Sequence, residues 1–480
     1  MQAPAGLELS FNRLECADVQ GNEKAVSDTD GVSEKLSAAS GSSTEESRHA
    51  VRYRTCSWQK ASDATAALLF SEYICLAILS FPWSFSILGL VPGILLTIAV
   101  AATVQYTSLI IWRLCLKYPE IRDVCDVGRV LFGGSELAYW LTSIMFVLSN
   151  VFGQAFHVLV GAELLNTLSD SGACTMAFTV VTAVLCFLVS LPRTLNRLGA
   201  LGTVSAVSMG VAILLTVVFS GAQPHPVGYT GAAPLVTAWP IRGTTFINGM
   251  SAFLNISYTL IGQITVPSFI AEMKNPRDFP KALWVSTVCE VIILVLAGSL
   301  VYHYTGNQYV VAPSVGSLQP PFKKIAFSFA IPTIIYLGSL YSSVTARFVF
   351  FRMFHNSAHK HSNGVVAWTV WAGIIGTTWV LAWIIAEAIP FFSDMLSLTS
   401  SLFDSWFGFT FWGMAYLLLY PGESRWAGPW RSAETLVNYF FIVFGFYVLG
   451  AGTYVAVQSI IDSYRMSLVG SPFTCRSNAV

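Results

Sequence analysis

The chain has 480 residues, of which 54% are hydrophobic and only 11% charged. Soluble domains carry roughly 25% charged residues, so the composition excludes a water-soluble globular protein and points to an all-α polytopic membrane protein. Lys plus Arg equals Asp plus Glu at 26 each, which removes any charge argument for a nucleic-acid partner.

Residues 1–60 are rich in Ser, Ala, Thr and Gly, and residues 1–50 hold nine acids against four bases. Such a segment buries too little apolar surface to fold alone and is expected to be a disordered cytosolic tail. It has no apolar core of signal-peptide length. From Ala61 onward, apolar stretches alternate with short polar breaks. Eleven spans are predicted, near 63–87, 91–114, 137–165, 174–192, 200–220, 246–271, 283–304, 325–350, 365–389, 395–419 and 435–460. They make one transmembrane domain over 61–460, followed by a short tail at 461–480.

Basic residues near the span ends set the orientation. With the N-terminal tail in the cytosol, inner segments hold 18 Lys and Arg and outer segments five. This predicts a cytosolic N-terminus and an outer C-terminus. The nine cysteines include no C-x-x-C pair and no zinc spacing, so no disulfide framework is expected. Cys174 and Cys475 both fall on the outer side, but spacing gives no ground for pairing them. His355, His359 and His361 have no carboxylate or cysteine nearby to complete a metal site.

Two spans carry interruptions at matching positions. The first reads Ser71-Glu-Tyr-Ile-Cys-Leu-Ala-Ile-Leu-Ser-Phe-Pro82 and the sixth Asn255-Ile-Ser-Tyr-Thr-Leu-Ile-Gly-Gln-Ile-Thr-Val-Pro267. They open the two halves if spans 1–5 (about 61–220) and 6–10 (about 246–419) are repeats, with 435–460 as an extra helix. Five spans per half start the second repeat from the opposite face, which gives inverted topology. Unwound backbone inside a bilayer is tolerated where it lines a cavity. Its free N–H groups suit a carboxylate and its free C=O groups an ammonium, so a zwitterion matches both.

At these residues the chain resembles the amino acid/auxin permease family, and within it the fungal neutral amino acid permeases. The match is strongest over Phe253-Leu-Asn-Ile-Ser-Tyr-Thr-Leu-Ile-Gly-Gln263 and Pro267-Ser-Phe-Ile-Ala-Glu-Met-Lys-Asn-Pro-Arg-Asp-Phe-Pro280. Asp126-Val-Gly-Arg-Val-Leu-Phe-Gly133 and Leu191-Pro-Arg-Thr194 add to it. The resemblance implies a LeuT-like fold of two inverted five-helix repeats plus an eleventh helix. It also implies a transporter, not an enzyme, importing neutral amino acids with protons by alternating access. A vacuolar exporter, a carrier of another small zwitterion and a non-transporting receptor are the alternatives. The plasma membrane is the expected location and the vacuolar membrane the second. No cofactor is expected.

The expected substrate-binding residues are Cys75, Leu76, Ala77, Ile78 and Ser80 in the first span and Tyr258, Thr259, Gly262 and Gln263 in the sixth. Ala77 stands where the family usually has Gly, which would narrow the pocket by a methyl group. Carboxylates at membrane depth are expensive unless neutral, paired or functional. Glu72, Glu290 and Asp404 are therefore proton-coupling candidates, together with His157, which shares a helix face with Gln154. Glu272, Lys274, Arg277 and Asp278, on the loop after the sixth span, are candidates for an inner gate latched by ion pairs. Ser342, Ser343 and Thr345 keep sodium as the lesser alternative to protons.

Overall fold

In lipid every backbone polar group needs an internal partner, and the apolar stretches meet this demand as helices. The computed structural model describes residues 74–193, 195–273, 275–354, 357, 364–466 and 472–480, without the side chains of 195–200. Glu72, Lys274 and the three histidines of 355–361 lie outside the described residues, as does the N-terminal tail.

The first described element is a 3₁₀ turn, Leu76–Ser80, running into helix α1, Phe81–Leu88. Gly89 then turns the chain at φ +80°, and a β-carbon there would sit 2.5 Å from the Trp239 carbonyl carbon. Only glycine fits such a close, left-handed turn. Helix α2 follows at Leu90–Lys117, then α3 at Val124–Leu131, α4 at Glu136–Leu168, α5 at Thr175–Ser190 and α6 at Leu195–Ala222. The second half holds α7 at Phe246–Leu260, α8 at Val266–Glu272 and α9 at Phe279–Tyr309. Next come α10 at Pro320–Ser328, α11 at Ile331–Met353 and α12 at Val365–Ala388. Helix α13, Phe392–Thr399, continues through an eleven-residue π-helical stretch, Ser400–Thr410, into α14, Phe411–Leu419. The last helix, α15, Pro429–Tyr447, continues through a π-helical stretch, Val448–Gly452, into α16, Thr453–Arg465.

Among the described residues seven helices are long and apolar enough to cross a membrane, and Leu76–Leu88 and Thr175–Ser190 are shorter apolar helices. Short polar side chains fix several starts. Asp123 accepts from the amides of Cys125 and Asp126 at α3, and Ser135 and Thr245 cap α4 and α7. The predicted eighth span, 325–350, begins too early. Pro332 lacks an N–H and opens a new helix, leaving α10 as a separate short element.

Helix α4 is the axis of the bundle, packed on α5, α11, α12 and α13. The inner faces meet around Phe156, Leu159, Trp371, Trp379 and Met395, all buried. Leu95, Trp140, Val184, Leu214, Ile292 and Val443 are exposed, the inverse of a soluble surface and the expected lipid-facing pattern.

One expectation is corrected. Cys174 and Cys475 form a disulfide with Cα atoms 4.4 Å apart. Folding brings the C-terminal segment back to the start of α5, where the Thr175 hydroxyl donates to the Arg476 carbonyl at 2.9 Å. Asn166 Nδ2 donates to Asn478 Oδ1 at 2.7 Å, and the Val480 amide to the Thr167 hydroxyl at 3.3 Å. Lys323 Nζ donates to the Val480 carbonyl at 2.6 Å. A separation of 301 residues hides this proximity from any spacing rule.

Candidate functional site

Two stretches of non-helical backbone meet at the middle of α4. Cys75 is extended, at φ −113° and ψ 174°, immediately before the 3₁₀ turn. The other stretch separates α7 from α8. Ile261 is extended at φ −90° and ψ 100°, and the chain then turns through hydrogen bonds from Thr265 N to Gly262 O and from Val266 N to Gln263 O. Pro267, which lacks an N–H, stands in the first turn of α8. Gln263 anchors this stretch to α2 by donating from Nε2 to Thr107 Oγ1 at 2.9 Å. Gly408, on the π-helical stretch, seats Ile261. A β-carbon on Gly408 would lie 2.7 Å from Ile261 Cδ1.

A cavity of about 90 Å³ opens between these stretches, α4, α11 and the π-helical segment. Of the expected residues, Cys75, Tyr258, Thr259 and Gly262 line it, together with His157 and Asp404. Phe156, Tyr341 and Phe407 supply further aromatic wall, and Asn150 a polar group. Asp404 and Phe407 reach the lining from within the π-helical stretch; such widened turns recur at functional sites.

Leu76, Ala77, Ile78 and Ser80 do not line the cavity. They are buried in the bundle just past Cys75, and Ser80 Oγ donates to the Ala77 carbonyl at 2.7 Å. The extra methyl of Ala77 therefore does not narrow this cavity. Gln263 is also buried away from the lining, as an anchor. Glu290 is buried on α9, on the face that holds Thr287, whose hydroxyl donates to Gln105 Oε1 at 2.8 Å. It lies outside the cavity lining as well.

Helix α4 lines the cavity with Ser149, Asn150, Gly153, Phe156 and His157, spaced as one helix face requires. Gln154 is buried off that face. Asn150 and Tyr341 were legible only as polar breaks within apolar runs. Glu163, buried near the far end of α4, has no sequence signal beyond its depth.

Among the described residues no close ion pair joins the gate candidates across the bundle, although Glu272 feels the charge of Arg347 on α11. Glu272 and Arg277 are exposed, while Asp278 pairs with Lys281 at 3.1 Å and accepts from Asn275 Nδ2 at 2.7 Å within its own loop. The cross-bundle ion pair at this end joins Arg352, closing α11, to Asp123, capping α3, at 3.1 Å. Arg352 also stacks on Phe348 and donates to the Tyr139 hydroxyl. Nearby, burial among apolar groups is the main force raising the Asp126 carboxyl above its usual range, with the Asp123 charge adding to it.

Residues 59–458 match the family described as transmembrane amino acid transporter protein. An N amino acid transport system protein of Neurospora crassa is 34% identical, over 88% of this chain and 89% of its own length. A transmembrane transporter of Gibberella moniliformis is 30% identical, over 89% of each. Among solved structures, MhsT in complex with L-phenylalanine aligns at a TM-score of 0.49 and 10% identity, over 85% of this chain and 98% of its own. The nucleobase-cation-symport-1 transporter Mhp1, closed with bromovinylhydantoin bound, aligns at 0.48 and 14%, over 84% and 91%. The extent of the family match and the full-length fungal relatives agree: this chain belongs to the transmembrane amino acid transporter family.

Proposed function

We propose that the chain imports neutral amino acids by proton symport, working by alternating access around its first and sixth spans in a bundle of two inverted five-helix repeats plus one helix. The observation that carries this reading is the cavity. It sits where two non-helical stretches meet and holds a buried carboxyl, Asp404, on its wall. Free main-chain groups at such stretches can hold both ends of a zwitterion, and aromatic walls suit a substrate with no side-chain charge. Asp404 is the acid placed to change protonation as the cavity opens to either side. Glu290, buried on α9 outside the lining, is the second candidate.

The 18-to-five bias supports a cytosolic N-terminus. The disulfide supports the same orientation, because such bonds persist on the oxidising side of a membrane. The plasma membrane is the proposed location, with uptake as its consequence.

Purified protein in liposomes, acid outside, tests the reading. Accumulation of radiolabelled neutral amino acids above equilibrium, abolished by a protonophore, is expected. Binding without accumulation would favour a receptor instead, and accumulation that needs sodium would displace protons.

A further inference from the structure

The polar atoms around the cavity divide into committed and uncommitted groups. Thr259 Oγ1 donates to the Asn255 carbonyl at 3.0 Å, Thr265 Oγ1 to that of Gly262 at 2.9 Å, and Thr399 Oγ1 to that of Met395 at 2.7 Å. Asn150 Nδ2 donates to the Phe146 carbonyl at 2.9 Å. These hydrogens are spent on main-chain oxygens of the same stretch of chain. Among the described residues, two buried side-chain atoms of the lining residues have no partner: Nε2 of His157 and Oδ2 of Asp404.

The state of His157 follows from its other nitrogen. Nδ1 lies 2.7 Å from the Gly153 carbonyl. A carbonyl only accepts, so Nδ1 carries the hydrogen, and in the neutral ring Nε2 is a bare acceptor. The ring has little freedom to turn. It packs edge-on against Phe156 with centroids 5.6 Å apart and on Tyr341 at 5.7 Å. The acceptor is therefore held in place before any ligand arrives.

An ammonium group offers three donors and no acceptor, and the acceptors that His157 and Asp404 leave unspent match it. We infer that His157 Nε2 accepts a hydrogen bond from the substrate's ammonium group, making His157 a binding residue on α4 that fixes how the amino acid lies in the cavity. This rests on the amino acid transport reading above. It goes beyond that reading in assigning ammonium recognition to a side chain as well as to the unwound main chain. Phe156, beside it, supplies wall but no acceptor.

The test uses the full chain in liposomes and a labelled panel of alanine, serine, leucine and phenylalanine. His157→Phe keeps a ring but loses the acceptor, and His157→Gln restores one through Oε1. Hydrogen bonds to charged groups are among the stronger ones. His157→Phe should therefore raise the apparent KM roughly ten- to hundredfold with the maximal rate largely kept, and His157→Gln should recover part of the loss. Competition by the N-trimethylated form of the transported amino acid, which has no N–H to donate, reports the contact directly. Wild type should reject it, and His157→Phe should discriminate much less. An unchanged KM and unchanged discrimination in His157→Phe would overturn the inference, as would misfolding of both variants, which would assign His157 to structure. If wild type takes up none of the panel, the amino acid reading itself fails, a result distinguishable from the first.

Discussion

Asp404 and Gly262 face the same 90 Å³ cavity and make different predictions. Asp404→Asn keeps the shape and removes the ionisation. It should retain amino acid binding and exchange across the membrane, while accumulation driven by a pH gradient falls to equilibrium with the outside. Glu290→Gln should leave that accumulation in place, and the opposite pattern would move the proton to α9. Gly262→Leu should abolish uptake with normal amounts of protein in the membrane, because a side chain of that size fills most of the space a ligand would take. Transport counts in cells expressing each variant, normalised to surface protein, check these outcomes. Much of this wall was readable from residue types. His157 and Asp404 break apolar runs with ionisable groups that are costly at membrane depth, and Tyr258, Thr259 and Gly262 fall in the sixth-span interruption that also carries the family resemblance. Ala77 was not readable, because one residue past Cys75 the chain is already in the core, and sequence does not say where an unwound stretch ends.

At the scale of elements, the π-helical stretch and the disulfide-tied segment carry the consequences. Gly408 leaves room for Ile261, so Gly408→Leu should push the non-helical stretch from its seat. Overpacking of this kind costs about 1–3 kcal/mol, and a lowered melting temperature with slower uptake is expected. The C-terminal segment is held by Cys174–Cys475 and by bonds to Asn166, Thr167 and Lys323. Removing a native disulfide commonly costs about 2–5 kcal/mol. Cys475→Ser should therefore lower thermal stability and expose residues 472–480 to protease added outside, while Cys289→Ser, on an exposed free thiol, should change neither. Seven of the spans are legible in this way among the described residues, because apolar runs of membrane length have few alternatives to helix. The π-helical register and the disulfide were not. The first depends on how α13 and α14 pack, and the second joins residues 301 apart.

For the whole molecule, the two ends of α4 differ in chemistry. Near Glu136 lies the Arg352–Asp123 pair, and near Leu168 lies the disulfide. A 33-residue helix spans on the order of 50 Å, enough to place these groups on opposite faces of a bilayer. Basic residues favour the cytosolic face and disulfides the oxidising one, so the proposed orientation, N-terminus inside, makes a direct prediction. Epitope tags at each end, probed in intact cells, should be reachable at the C-terminus alone.

The central claim is that amino acid and proton move together through this cavity. Proton entry triggered by amino acid addition, read with a pH dye trapped in liposomes holding the purified protein, tests it most directly. Wild type should acidify the lumen when a transported neutral amino acid is added outside, and Asp404→Asn should bind that amino acid without acidification. Amino acid entry with no proton flux in wild type would contradict the account.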